Sequence, residues 1–494
     1  MRRPVAALVI VLLLALAGCT VPTRSAGLPD RPGNPPGMSE TPAPDPTTDV
    51  LGWENGYWQD DPLAIDVADG LNETELGAIV NRSMARVEYL RRAEFDRVVP
   101  VEVISRAAFR ERVTNDSGGA NRAARLFDNV VYEALFLVGE GGNARASREN
   151  NTASSVQGFY ALGKDRITIV SATESPAIAE ETLAHELVHA LQWGLHDMRG
   201  LGGWTIEASN AHEAVIEGVA TYLDRRYAER CGAEWHCVTT PPTSDAGNGG
   251  DSDSGSSIHF GLYILRYFPY SDGPGFVEHV KSGGGWEAVS ELYARPPAST
   301  EQVIDPEKYG EDAPTKVTIR DRSAGGWERL DLQGRPSFES FGQPGITAAL
   351  AYPAYDERSQ DVVVSPREFL NYEGERVDRS DPFDYDIKPA DGWDGDRLRV
   401  YTDASNRTGY VWRLVWDTPS DAREFARSYR RLLRYWGGQR RSADVWRIPE
   451  GESRFADAFA IHVEGTTVTI VNAPTVGDLA EVHGPVTSWR EAGG

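Results

Sequence analysis

The chain has 494 residues, 40% of them hydrophobic, which is enough apolar material to bury more than one core. Its 74 acidic residues outnumber 50 basic ones and leave a formal charge of −24, which argues against nucleic-acid binding, because that requires a basic face. There is no GxSxG elbow and no phosphate-binding P-loop, so serine-hydrolase and nucleotide chemistries fall away as well.

Taken in chain order, residues 1–18 begin with Arg2 and Arg3 and continue as an apolar run from Val5 to Ala17. A basic start followed by a short apolar stretch reads as a secretion signal rather than a structural helix. Its end, Leu16-Ala17-Gly18-Cys19, resembles a prokaryotic lipobox. That resemblance implies cleavage before a lipidated Cys19, which would anchor the mature chain to the membrane at its extracytoplasmic, outer face. Residues 19–50, rich in Pro, Ser, Thr and Gly, read as a disordered tether. The remainder, 51–494, is ample for two domains.

Glu75–Phe95 carries a helical pattern, Pro100–Ser105 reads as a strand, and a further helix is expected around Ala123–Leu137. Two short strands follow, Val156–Leu162 and Arg166–Val170, joined by a turn containing Gly163, Lys164 and Asp165. The segment from about Ala177 to Trp193 then reads as an amphipathic helix with Glu180 and Glu181 near its positive end and Gly194 as a stop. This helix contains His185-Glu186-Leu187-Val188-His189, an H-E-x-x-H motif. Two histidines four residues apart share one helix face and can bind a single Zn²⁺, while the adjacent glutamate can reach a metal-bound water as general base.

A zinc site of this kind needs a third protein ligand, and His196, His212, Glu213 and Glu217 are the candidates. In an H-E-x-x-H-x-x-G-x-x-H arrangement the glycine and third histidine would fall at Gln192 and Leu195, so His196 is out of register and reads as a surface or loop residue. Downstream, Glu207–Arg230 forms a second long helical pattern. Glu217 sits there among Val215, Ile216, Val219 and Ala220, where a carboxylate is expensive unless it is paired or ligating.

HELVH followed by a helix carrying Glu217-Gly218-Val219-Ala220 resembles the gluzincin class of zinc metallopeptidases. The resemblance implies His185, His189 and Glu217 as Zn²⁺ ligands and Glu186 as the base, with His212 and Glu213 as weaker alternatives. The wider pattern is similar to that of a group of prokaryotic surface lipoproteins: GFY at 158–160, HELVHALQ at 185–192, EGVA at 217–220, PPASTEQVIDPEKY at 296–309, GWDGDR at 392–397 and WDTPSDAREF at 416–425. Acidic composition with arginine as the main cation resembles proteins of salt-loving archaea, so the charge reads as solvent adaptation and designates no partner. Two departures stand out. Asp305 occupies a position where the related pattern has histidine. Thr221 stands one turn after Glu217, where thermolysin-like relatives have an aspartate that orients a zinc histidine, while Asp224 lies two turns on.

Cys231 and Cys237 are close enough in an extracytoplasmic chain to suggest a small disulfide loop, and 243–257 reads as a flexible insertion. His259 opens a further helical stretch, and the segments WEAVSELYA, VTIRD, RLRVYTD, GYVWRLVWD and VTIVNA read as one helix and four strands. SDAREFARSYRRLLRYW reads as an amphipathic helix. The expected fold is therefore α+β: a zincin-like domain over 51–315 and a second α+β domain over 316–494 without catalytic spacing. The expected function is hydrolysis of peptide or protein substrates by a lipid-anchored zinc metallopeptidase, with the substrate backbone lying along the Ile167–Val170 strand. The rival reading is a catalytically weakened or inactive zincin-like lipoprotein that binds a cell-envelope partner.

Overall fold

A computed structural model describes residues 47–65, 70–115, 121–156, 158–161, 166–171, 179–238, 258–356, 362–378 and 381–484. Within them the fold is α+β, as expected. The signal segment, Cys19, nearly all of the tether, the turn at 163–165 and the 243–257 insertion lie outside the described residues. No helix among the described residues is long and apolar enough to cross a membrane.

The chain divides into two compact units: residues 1–110, 156–197 and 219–255, and residues 111–155, 198–218 and 256–494. These units do not follow the boundary expected at 315/316. The reason is a set of long-range hydrogen bonds that sequence order hides. The backbone N–H and Oγ1 of Thr300 both donate to the Glu207 carboxylate at 2.6 Å, and Ile206 N donates to Glu339 Oε1 at 2.6 Å. Segments on both sides of residue 315 are thereby tied into the second unit.

In the first unit, helix α1 (Glu73–Arg91) starts from a capping box: Asn72 Oδ1 accepts from the backbone N–H groups of Thr74 and Glu75, and Glu75 accepts in return from Asn72 N. Three strands, β1 (Val101–Ser105), β2 (Gly158–Ala161) and β3 (Arg166–Ser171), form a sheet in the order β1-β3-β2. β3 runs parallel to β1 and antiparallel to β2. Helix α2 (Glu180–Leu195) follows and runs through Gly194, so the expected stop there is corrected; the chain turns extended at His196 instead. Helix α3 (Ile206–Arg230) is continuous, and the division between units passes through it after Gly218. Its Val219–Arg230 half therefore belongs with α2.

A buried charge cluster fixes the start of α2. Glu180 accepts from Arg82 Nη2 at 2.9 Å, Arg86 Nη1 at 2.6 Å, Tyr227 Oη at 2.5 Å and Val238 N at 2.6 Å. A carboxylate so deeply buried is tolerable only because two guanidiniums and further donors compensate its desolvation. Arg86 also lies over the Trp235 ring, 4.7 Å from its centroid, and Trp235 sits in the loop closed by the Cys231–Cys237 disulfide. The expected disulfide is present, and with both sulfurs bonded to each other that loop offers no thiolate.

In the second unit, helix α4 (Phe260–Glu291) merges two expected helices across a kink at Gly285, whose φ is +67°. Helix α5 (Gly342–Ala351) precedes strands β4 (Trp393–Thr402) and β5 (Thr408–Trp416), helix α6 (Pro419–Tyr435), and strands β6 (Ala458–Glu464) and β7 (Thr467–Ala473). The antiparallel sheet has the order Gln439–Arg440, Val445–Arg447, β6, β7, β5, β4, Glu328–Arg329. α6 lays Phe425, Tyr429, Leu432 and Leu433 into the core, the stripe its sequence announces. The expected VTIRD strand is corrected: residues 317–321 form none. Val317 and Ile319 are buried while their neighbours are exposed, so the alternation reflects packing without a ladder.

Candidate metal centre

α2 buries Leu183, Leu187, Val188 and Leu191, which leaves His185 and His189 half-buried on another face. Their rings stand almost perpendicular, 83° apart, with centroids separated by 4.9 Å. Glu217 is carried toward them by α3, one residue before the division and on the same uninterrupted helix. One ligand atom from each of His185, His189 and Glu217 lies within 4.8 Å of the others. The three residues proposed as ligands from the sequence are thus brought together.

The donor set suits a transition metal. His189 Nδ1–H donates to Gln192 Oε1 at 3.0 Å; because the amide oxygen only accepts, this bond places the proton on Nδ1 and leaves Nε2 as the ligand atom. Two imidazoles and one carboxylate at partly accessible positions fit a tetrahedral Zn²⁺ with one open place. Asp224 is pushed up to about 6, chiefly by burial, while the charge of His185 pulls it back down. Asp224, two turns after Glu217, is therefore a further carboxylate that interacts electrostatically with His185. Thr221 Oγ1 is buried without a hydrogen-bond partner.

Glu186 is buried, with only 6% of its surface exposed. Gly158 at the start of β2 lies against it, and a Cβ placed on Gly158 would come within 3.3 Å of both Glu186 Cγ and Oε1. The glycine of GFY thus makes room for the candidate base. Ile167–Val170, the strand expected to receive substrate, is not placed to do so. That segment belongs to β3, which pairs on both sides, so its ladder groups are already used. β2, one of the two edge strands of this sheet among the described residues, lies beside Glu186 and is placed to accept an added strand there.

The remaining candidates do other things. His212 Nδ1 accepts from Gly202 N at 3.0 Å, and burial lowers its pKa. Glu213 accepts from Ser209 Oγ at 2.9 Å, and desolvation raises its carboxyl pKa. His196 ends α2, with its pKa pushed down to about 4 by burial and by Arg91, so it stays neutral. Asp305 is exposed and caps the short turn Pro306–Lys308, its Oδ1 accepting from Glu307 N at 3.2 Å.

The STEQ and GWDGDR segments turn out to be supports. Thr300 bonds Glu207 as described above. Asp396 accepts from Ser340 Oγ at 2.7 Å, Phe341 N at 3.1 Å, Gly342 N at 3.2 Å and Trp412 Nε1 at 2.8 Å. Gly342, at φ +64°, joins the two halves, since a Cβ there would strike Glu207 Oε2. This network fixes the amino-terminal end of α3, on which Glu217 rides. Gly218 has a related duty: a Cβ on it would lie 2.6 Å from the Gly273 carbonyl carbon, so the glycine of EGVA permits a close crossing of α3 and α4.

Sequence reasoning missed Gln192 and set Asp224 aside. Gln192 was signalled by its i+3 spacing from His189 on one helix. Asp224 was not, because its relation to His185 depends on how two helices pack.

A family model described as a domain of unknown function (DUF8575) matches residues 328–483, which lie in the second unit. No curated protein and no solved structure matches the chain.

Proposed function

We propose that the protein is a zincin-like metallopeptidase that cleaves peptide bonds at the His185–His189–Glu217 centre. The observation that carries this reading is the convergence of those three ligand atoms within 4.8 Å, with Glu186 on the same helix between the histidines. Bound Zn²⁺ would supply Lewis acidity toward the scissile carbonyl and make water acidic enough to lose a proton near neutrality. Glu186 takes that proton as the water oxygen bonds to the carbonyl carbon, and delivers it to the leaving nitrogen as the C–N bond breaks. Edge strand β2 aligns the substrate backbone, with Gly158 keeping the space above Glu186 clear. His189 is held in one tautomer by Gln192, and Asp224 provides negative charge toward His185.

The disulfide at Cys231–Cys237 supports an extracytoplasmic location, because such bonds persist in oxidising compartments. Lipid anchoring through Cys19 at the outer face of the membrane is part of the same proposal.

The test is metal content of purified protein together with a general peptide-cleavage assay on the wild type and Glu186→Gln. One equivalent of zinc in both, with turnover lost in the variant, is the expected result. Zinc in both without turnover in either would replace the peptidase by a metal-bearing binder of envelope components. Absence of zinc would overturn the site itself.

A further inference from the structure

A cavity of about 390 Å³ lies within the second unit, alongside the amino-terminal half of α3. Its walls include Trp204, Asn210, Glu213, Arg148, Arg266 and Arg335. Asn210 and Glu217 are seven residues apart on α3, so they share a helix face and are separated by about 10 Å along the axis. The cavity therefore lies along the helix from the candidate metal ligand, at a distance that an extended peptide spans in about three residues.

The hydrogen-bonding inventory of the walls is lopsided. The acceptors are occupied: Glu339 Oε1 takes Ile206 N and Ser340 N, Asp128 pairs with Arg335 at 3.4 Å and Arg148 at 3.7 Å, and Glu213 takes Ser209 Oγ. Donors are left over. Asn210 is 94% buried, and its Nδ2 has no hydrogen-bond partner; Arg335 Nε is likewise buried without one. An unspent buried donor is costly unless a ligand supplies the acceptor. Arg266, exposed and facing Glu213 electrostatically, adds positive charge to the same walls. Glu339 is pushed up to about 8, mainly by burial, and so adds little negative charge at neutral pH. Trp204, 64% exposed, offers a large apolar face.

We propose that this cavity is a substrate subsite for a carboxylate, carried by an acidic residue or by a free carboxyl terminus, about three residues from the bond cleaved at the metal centre. The placement rests on the peptidase reading above, whereas carboxylate binding can be measured without it. The guanidiniums of Arg266 and Arg335 and the carboxamide of Asn210 provide charge-assisted donors to the carboxylate oxygens, and Trp204 covers the neighbouring backbone.

The test uses the zinc-treated full chain with Glu186→Gln, so that peptides bind without turnover. Calorimetry compares decapeptides in which a single Glu, Gln or Lys is walked along a neutral sequence, each with a free or an amidated carboxyl terminus. Expected is at least tenfold tighter binding of Glu than Gln at one position, or of the free acid than the amide, which separates the two sources. Arg266→Glu, a surface change, should remove that preference and favour Lys. Equal affinity for Glu, Gln and Lys together with no effect of the terminal carboxylate overturns the subsite, as does a preference indifferent to Arg266→Glu. Cleavage of the same peptides by the wild type separates the two claims. Turnover without acidic preference would remove the subsite and keep the peptidase; acidic preference in binding without turnover would do the reverse.

Discussion

The His185–His189–Glu217 cluster and the Glu133–Glu140–Asp457 cluster both place three ligand atoms within 4.8 Å of one another, yet they differ in chemistry. In the first, two imidazoles and a carboxylate are half-buried, and one imidazole has its proton fixed away from the centre by Gln192. In the second, three carboxyl groups crowd together, and Glu133 and Asp457 are almost wholly buried. Burial, with Asp457 and Glu140 beside it, pushes Glu133 well above the ordinary carboxylate range, so it keeps its proton and donates to Asp457. Asp457 is pushed up to about 7, chiefly by burial and then by Glu140, and it accepts from Asn472 Nδ2 at 2.8 Å. Proximity of ligands is thus not sufficient: one cluster holds basic donors ready for a cation, and the other resolves its repulsion with a proton and an amide.

The strongest way to break this contrast is to remove one carboxylate from each cluster. Glu217→Ala should take zinc content from one equivalent to none after dialysis, because two helix histidines alone make an incomplete site. Asp457→Asn should leave zinc at one equivalent. Elemental analysis of the two variants decides the matter, and loss of zinc from Asp457→Asn alone would invert the assignment.

A second change probes orientation rather than ligation. Gln192→Leu removes the acceptor for His189 Nδ1–H while keeping a buried side chain of similar size. Zinc affinity should fall about 10- to 100-fold in a chelator competition, the usual effect of losing such a support. An unchanged affinity would mean that Gln192 only packs.

These two variants also mark what the sequence could disclose. HELVH and EGVA were legible because helical spacing is local: a four-residue interval places both histidines on one face, whatever the rest of the chain does. The edge strand was not legible, since pairing of β3 with β1 joins residues more than sixty positions apart. The same holds for the bond from Ile206 N to Glu339, which ties together segments on either side of residue 315. One helical turn counted from Glu217 arrives at Thr221 and passes over Asp224. The packing of α2 against the second half of α3, pinned by Glu180 and Tyr227, decides which carboxylate His185 meets.

The acidic cluster makes its own prediction with pH. Folded-state pKa values raised above the unfolded ones mean that the native state holds more protons between about pH 4 and 7, so stability is fully present below that window and declines as pH rises through it. The slope is up to about 1.4 kcal/mol per pH unit for each extra proton retained. Arg447 moderates it by lowering Asp457, and Glu140 steepens it. Glu133→Gln keeps an N–H donor for Asp457 and deletes one ionisation, so urea unfolding measured from pH 4.5 to 7.5 should show a flatter decline. An unaltered slope would place the extra protons elsewhere, with Glu207 and Glu339, each pushed up to about 8 mainly by burial, as the next groups to replace.

The smallest expected effect belongs to a carboxylate in neither cluster. Asp305 stands where the related sequence pattern has histidine, yet here it is exposed and spends its oxygen on Glu307 N. Asp305→Ala should cost about 0.5 kcal/mol or less, the worth of an exposed cap on a short turn. It should leave zinc content and peptide turnover unchanged. A tenfold loss of turnover with zinc retained would show that Asp305 acts on substrate after all. A third carboxylate would then serve the reaction without binding metal.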